Sequence, residues 1–494
     1  MKKKILRIMA LMFALLMIGV SFVACGDDEG DDTGNNVSTN NGGTYKADVP
    51  VGTNYNNEEF WVYTYPRENA GWIDYDWYVT GMTGDTVKDA VFARSAQVEE
   101  ELGIKIKVYN HTSYGSLDYL TNIISGGEDV YDIAYVHATN SFTLAAGGYT
   151  VDLNDYGCLD LDAPWWDQAC LDGYSVGGKN FCLTGDIATG YFRSVGCIYY
   201  NKVMFQNYPD IRDIDIYKMV EDKTWTIEEL YKMAAVADSD VDGDGAQDAE
   251  DIYGFSYFQT LGATLPIALG ASYSVKNPAT DTPVVSVYTQ KMVDILDWYD
   301  VFLYDRAISF NSNAFIAENP STPSDVLTSM FIDDRALFSY GEIHSLQELR
   351  SMESDFGILP MPLYDTDQES YHHTINAQVA AVMTVPTTNL DAEKTSYIVD
   401  SLGAASKNVL TPAYYDVLLQ GIAARDVQSQ VSLDIIKSTI VYDTVYALDR
   451  TVADMMRLLT NNRSIDMTSQ WRSKKDVVAS NVNSVIEKIQ KAGN

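Results

Sequence analysis

The chain is short of the residues on which most metal and nucleophile chemistry depends. It has five histidines in 494 residues. His372 and His373 are adjacent, with no helical spacing and no second cluster, so a zinc centre is not expected there. It also has five cysteines. Beyond Cys25, the others are Cys158, Cys170, Cys182 and Cys197, with 11, 11 and 14 residues between them. That spacing matches no zinc ribbon. Four such cysteines allow three disulfide pairings, with buried free thiols as the alternative, and spacing does not choose among these. Basic residues are scarce: 34 Lys and Arg stand against 69 Asp and Glu, a formal charge of −35. Nucleic acid is therefore excluded as a partner, because its phosphates would be repelled. No Walker loop or zincin motif is present. Acidic pairs abound, but a glycoside hydrolase needs two carboxylates set across a cleft, which a sequence does not display.

What is present begins with a leader. The basic segment MKKKILR precedes an uncharged apolar run from Ile8 to Ala24. The run is short for a spanning helix and ends in small residues, as a signal peptide over 1–24 would. Phe22-Val23-Ala24-Cys25-Gly26 resembles a bacterial lipobox, with Phe22 where Leu is usual. The resemblance implies lipidation of Cys25, which becomes the new N-terminus; an uncleaved membrane anchor is the alternative. Residues 25–52 are acidic and rich in Asn, Gly and Thr, and are expected to form a disordered tether. Removing Lys2, Lys3, Lys4 and Arg7 with the leader takes the formal charge from −35 to −39. The expected address is the extracytoplasmic face of the cell membrane.

The remaining residues, about 440, are too many for one small core and suggest two or three lobes. An α/β rhythm opens them. Strands are expected at Glu58–Tyr65, Ile104–Tyr109 and Val130–Val136. Helices are expected at Thr86–Leu102, Ser116–Ser125 and Asn140–Ala146. In the first helix Val87, Val91, Val98 and Leu102 share one stripe, and Gly103 is a stop signal. Gly126-Gly127 and Gly147-Gly148 close the other two. This order implies a parallel, doubly wound sheet, whose ligands sit at the carboxyl ends of the strands. Tyr65 to Trp77 and His137 to Asn140 then lie on the binding edge. Thr226 with Glu229 forms a capping box opening a helix to about Ala237. The last third reads as mostly helical, with Val477, Val478, Val482, Val485, Ile486 and Ile489 on one side of Lys474–Lys491.

Five phrases, in order, resemble those of one family. They are SVGCIYYNK (Ser194–Lys202), TWTIEEL (Thr224–Leu230), Tyr253-Gly254-Phe255, DRALF (Asp334–Phe338) and DFGILPMP (Asp355–Pro362). The chain resembles extracellular solute-binding proteins of bacterial ABC importers, the class that includes maltose- and oligosaccharide-binding proteins. The resemblance implies an α/β fold of two lobes joined by crossings near Tyr191, Phe331 and Pro386. Lobe one would be 53–190 plus 332–388, and lobe two 191–331 plus 389–494. It implies a monomeric receptor, not an enzyme, that hands a carbohydrate, an oligosaccharide, to a membrane permease after hinge closure. A surface glycan-degrading lipoprotein and a receptor for peptides or other solutes are the competing readings.

The sharpest local motif is DSDVDGDGAQDAED (Asp238–Asp251). Starting at Asp238 leaves Ala249 at the twelfth position. Starting at Asp240 fills every ligand position of an EF-hand-type loop: Asp240, Asp242, Asp244, the Ala246 carbonyl, Asp248 and Asp251, with Gly245 at the tight turn. A structural calcium ion is expected there, with Asp251 in place of the usual Glu. Sugars are recognised by aromatic faces and by polar groups that fan out to hydroxyls. The candidates are Trp72, Asp74, Tyr75, Asp76 and Trp77 in the first loop, His137 and Asn140 after the third strand, and Asp186 and Tyr191 at the first crossing. Tyr257, Gln259, Tyr340, Glu342, Asn376 and Gln378 complete the set. Trp165, Trp166, Trp225 and Trp298 are expected to pack.

Overall fold

The structure, a computed structural model, describes residues 44–65, 77–112, 115–241, 243, 248, 250–314, 322–422 and 428–492. The leader, Cys25, and Trp72 and Tyr75 with their loop lie outside the described residues.

The first sheet forms where the sequence rhythm places it. Strands β1 (Glu58–Thr64), β2 (Ile104–Asn110) and β3 (Ile133–His137) are linked by helices α1 (Thr86–Leu102) and α2 (Asp118–Ser125), and α3 (Ala138–Ala146) follows. β1 runs parallel to both neighbours, with Val62 opposite Val108 on one side and Ile133 on the other. Phe60 and Val62 point inward and are fully buried, while Trp61 between them is only half-buried, which is the period-two alternation of a pleated strand. The Asp85 carboxylate caps α1 by accepting from the backbone N–H of Val87 and Lys88. Gly103 ends the helix at φ 62°, a left-handed conformation that glycine adopts without steric cost. The third strand starts at Ile133, not Val130; just before it the Asp132 carboxylate replaces a backbone acceptor, taking the Trp61 N–H at 2.7 Å while the Asp132 N–H donates to the Trp61 carbonyl at 2.9 Å.

The second sheet is mixed. Its strands are β4 (Gly196–Asn201), the two-residue β5 (Asp238–Ser239), β6 (Ile252–Tyr257), β9 (Ser309–Asn311), β10 (Ala336–Glu342) and β11 (Phe356–Leu359), in order β11-β4-β10-β6-β5 with β9 on β6. The intervening pair, β7 (Ser274–Asn277) and β8 (Thr282–Val285), forms a separate hairpin. β6, β9 and β10 are parallel, and β4 is antiparallel to β10 and β11. β4, β10 and β11 are buried along their whole length, which suits strands covered on both faces.

Three expectations are corrected. Helix α4 (Ile227–Ala234) has its N-cap in Thr226, but Glu229 does not reach back; its carboxylate takes Lys232 at 2.8 Å, so only half of the capping box forms. The assignment of 332–388 to lobe one divides. β10 and β11 pair in the second sheet, and only β12 (Ala381–Thr384) joins the first, antiparallel to β3. Conversely, α6 (Ala392–Asn408), placed with lobe two from sequence, packs into the first sheet's core through Ile398, Val399 and Leu402. The physical reason is that an apolar strand carries no label for the sheet it joins.

Three more helices matter below: α5 (Thr260–Ala268), α7 (Arg450–Asn461) and α8 (Met467–Ala492). In α8, Val478, Val482, Ile486 and Ile489 are buried as expected, whereas Val477 is 54% exposed. Trp165, Trp166 and Trp225 are buried and Trp298 half-buried against the second core.

Candidate ligand-binding site

Because β1, β2 and β3 are parallel, their carboxyl ends share one edge of the first sheet. Tyr65 and His137 meet there with ring centroids 4.4 Å apart. Asn140, in the first turn of α3, donates to the Tyr65 hydroxyl and to the Gly115 carbonyl at 3.0 Å. Burial drives the His137 imidazole down to about 3, and the charge of Arg450 pushes the same way, so the ring is neutral at physiological pH.

The second sheet presents its own carboxyl edge, with Tyr257 ending β6, Asn311 ending β9 and Glu342 ending β10. A strap of chain before β12 ties the two edges together. Asn376 N–H donates to the Ser194 carbonyl at 3.4 Å; Thr139 N–H and Oγ1 both donate to the Ala377 carbonyl at 3.0 Å; Ala138 N–H donates to the Ala380 carbonyl at 2.9 Å. The strap therefore brings Asn376 and Gln378 beside Glu342 on one side and α3 on the other.

Glu342 is 6% exposed. Burial pushes its carboxyl up to about 8, against the opposing pull of the Asn376 amide and the Arg457 charge. His344 Nδ1 lies 3.4 Å from Glu342 Oε2. The Arg457 guanidinium donates to Gln378 Oε1 at 2.6 Å and to Asn376 Oδ1 at 3.4 Å, and Tyr446 Oη also reaches Asn376 Oδ1. With both amide oxygens taken by one guanidinium, the Asn376 nitrogen is the group that bonds Glu342, and the Gln378 nitrogen is left to donate.

Helix α7 runs along this cluster. Arg450 is the charged neighbour of His137, Arg457 holds the strap, and Asn461 Nδ2 donates to Gln259 Oε1 at 3.1 Å. Asn311 in turn donates to Asn461 Oδ1 at 3.0 Å. A cavity of about 870 Å³ opens beside this end, bordered by Tyr257, Tyr304, Asn311, Asn461 and Arg463. Arg450, Arg457 and Asn461 escape the sequence reading. Their signal is a polar stripe at i, i+7 and i+11 opposite buried Val452, Met456 and Leu459.

His137, Asn140, Gln259, Glu342 and Asn376 thus come together along the strap and α7, with Tyr257 on the adjoining cavity. Two candidates are corrected to core roles. Trp77 is 1% exposed, edge-on to Tyr135 at 5.2 Å, because its large ring closes the first core over buried Arg94. Tyr340 is 1% exposed; its ring fills the space left by Gly196, where a Cβ would lie 2.7 Å from it, and its hydroxyl pairs with Thr264 Oγ1 at 3.1 Å. Asp186 and Tyr191 border a different cavity of about 430 Å³. There the Asp186 carboxylate is held by Lys407 at 2.9 Å, Thr411 at 2.8 Å and Lys437 at 3.6 Å.

Other motifs resolve into structure. His373 accepts the Met361 N–H at Nε2 and pairs through Nδ1 with Thr439 Oγ1, a structural role. The spelling Gly173-Tyr174-Ser175-Val176-Gly177 has the form of a nucleophile elbow. It follows the end of a helix instead of a strand, and Ser175 Oγ takes the Lys276 ammonium at 2.8 Å. Cys158, Cys170, Cys182 and Cys197 are all free thiols, the last three buried. Within the acidic loop, Asp242, Asp244 and Ala246 lie outside the described residues. Asp240 and Asp248 each accept a backbone N–H at 2.7 Å, from Gly243 and Glu250. Buried Asp251 accepts from Val241 and Asp248. Among the described residues no group of three or more His, Cys, Asp or Glu side chains is arranged to hold a metal ion. No helix among the described residues is long and apolar enough to cross a membrane.

No protein-family model matches the chain, and no curated protein matches it in sequence. Solved structures do. An ABC substrate-binding protein from Listeria monocytogenes in complex with cycloalternan superposes with a TM-score of 0.54 at 13% identity, covering 88% of this chain and 98% of that one. The galacto-N-biose/lacto-N-biose I-binding protein of an ABC transporter from Bifidobacterium longum, in complex with lacto-N-biose, has the same score and identity, covering 89% and 98%. A Mycobacterium tuberculosis protein in complex with glycerophosphocholine scores 0.53 at 13% identity, covering 88% and 98%. The chain has the fold of ABC substrate-binding proteins. It spans these structures over nearly their whole length, and they are binding proteins. At this level of identity the likeness concerns the fold alone.

Proposed function

We propose that this chain is the extracytoplasmic receptor of an ABC importer and captures a carbohydrate, an oligosaccharide, without altering it. The observation that carries the reading is the strap at 376–380. It gathers Asn376 and Gln378 with Glu342, His137, Asn140 and the polar face of α7 at the carboxyl edges of both sheets. Amides and a neutral acid in one cluster are what sugar hydroxyls need, since each hydroxyl both donates and accepts. Function follows from a population shift: a ligand that touches both edges favours the closed arrangement, which the permease would recognise. Lipidation at Cys25 belongs to the same reading, because a tether keeps the receptor at high local concentration beside its permease.

The test is a melting-temperature screen of the mature chain against oligosaccharides, amino acids and short peptides. An oligosaccharide is expected to raise the melting temperature progressively with concentration, as mass action requires. Stabilisation by peptides alone would overturn the carbohydrate assignment.

Calcium in the 240–251 loop is a separate proposal with a bracing role between α4 and β6. Adding a chelator is expected to lower the melting temperature, and elemental analysis of the purified chain to find about one calcium per chain. An unchanged melting temperature together with absent calcium would defeat it.

A further inference from the structure

Among the described residues, Arg457 is a largely buried cation without a buried counter-charge. Its side chain is 14% exposed. The only carboxylate paired with it among the described residues is Asp454, 3.5 Å away and itself 58% exposed, a geometry that contributes little against the cost of burying a guanidinium. The neighbouring buried acid, Glu342, is pushed toward its uncharged form by burial and so supplies no compensating charge. The other Arg457 partners, Gln378 Oε1, Asn376 Oδ1 and the Tyr446 hydroxyl, are neutral. Two donors in this cluster also lack a partner among the described residues: Arg457 Nε and Gln378 Nε2 are both buried with no hydrogen bond. Leaving a buried donor unmade is costly, more so for a charged group, so such groups call for an acceptor. A second cation, Arg450, stands two turns earlier on the same face of α7. Asp454 stands between the two arginines on that face, so the stripe carries two positive charges and one negative in a chain with a formal charge of −35.

We infer that the captured carbohydrate is acidic, and that a carboxylate of its sugar units, as in a uronic acid, seats against Arg457 Nε and Gln378 Nε2. This rests on the carbohydrate reading above and narrows it. A carboxylate supplies the missing counter-charge and two acceptor oxygens at once, which a neutral hydroxyl does not. The Arg457 contacts to Asn376 and Gln378 hold the Asn376 amide against Glu342 and the Gln378 amide toward the carboxylate, so Arg457 both anchors the charge and positions its neighbours.

The experiment compares matched ligands by calorimetric titration of the full mature chain. Short oligogalacturonides are set against the same chains methyl-esterified, and glucuronate-capped xylo-oligosaccharides against plain ones. A phosphorylated disaccharide is included to separate carboxylate from phosphate. An acidic member of a pair is expected to bind at least about tenfold tighter than its neutral counterpart. Arg457→Gln is expected to weaken it by roughly thirtyfold or more, Arg457→Lys by less, with melting temperatures of the free variants reporting their folding. Tighter binding of the neutral members would overturn the acidic inference and leave the carbohydrate reading standing, as would undiminished acidic binding by folded Arg457→Gln. A preference for the phosphorylated sugar would replace carboxylate by phosphate and so reject the uronate. Binding of no glycan at all would remove both readings together.

Discussion

The melting temperature of the ligand-free chain is expected to fall as pH is raised from about 6.5 to about 8, and Glu342→Gln to abolish most of that fall. The folded Glu342 carboxyl titrates near about 8, against 4.5 for the free side chain, and burial is the main cause. Between those values the folded chain holds a proton that the unfolded chain has released. The Glu342 contribution to stability therefore declines as pH rises through the window, with its full penalty above about 8 and none below 4.5, and above about 6.5 it is no longer opposed by the buried histidines. A tenfold difference in proton affinity between the folded and unfolded chain is worth about 1.4 kcal/mol, so the whole effect is on the order of several kcal/mol. Glutamine keeps the shape and the hydrogen bond to Asn376 without a charge to bury. His137 and His373 work on the opposite limb. Both are driven down to about 3 by burial, so they cost stability as pH falls below 6.5. Thermal melts of both proteins at several pH values check this; parallel pH dependence in the two proteins would assign the alkaline loss to another group.

Gly262→Ala is expected to be severely destabilising and to reduce ligand affinity at the same time. Gly262 sits in α5 where that helix crosses α7. A Cβ there would lie 1.7 Å from Thr460 Oγ1 and 2.8 Å from the Met456 carbonyl. Thr460 is not free to swing aside, since its hydroxyl donates to that same Met456 carbonyl at 2.8 Å. Helix α7 must therefore move away, and overpacking of this kind costs typically about 1–3 kcal/mol and occasionally more. The movement would carry Arg457 and Asn461 with it, which is why affinity should fall along with stability. Gly81→Ala is the control: nothing lies within 4 Å of its added Cβ, so little change is expected. Removing the obstructing hydroxyl with Thr460→Ala should restore part of the loss in the double variant. Urea denaturation of the single and double variants measures each step; additive losses would mean that the two helices do not meet as described.

Periodic features were the legible ones. β1, α1, β2, α2 and α3 fall within about two residues of their expected limits, since a buried face imposes a repeat of two or 3.6 that the amino acids must carry. The stop at Gly103 and the N-cap at Thr226 were legible for the same local reason. Which sheet a later strand joins was not. β10, β11 and β12 lie within about fifty residues of one another and are uniformly buried, yet β12 alone crosses to the first sheet. That choice depends on partners far along the chain. The site divides in the same way. Glu342, Asn376, His137 and Asn140 end strands or flank them, which is the pattern that points to them in the sequence. Trp77 and Tyr340 were misplaced because an aromatic at a strand end serves a core as readily as a cleft. Arg450, Arg457 and Asn461 were missed because a polar stripe on an amphipathic helix ordinarily faces water.

The central claim is capture without chemistry, and one measurement addresses it directly. An oligosaccharide that raises the melting temperature is titrated calorimetrically into the mature chain, then recovered from the complex and analysed by chromatography. The account predicts saturable binding of about one ligand per chain, with the sugar returned at its original length. Shortened sugar in the recovered fraction would contradict it and make the chain a glycan-degrading enzyme built on a binding-protein fold.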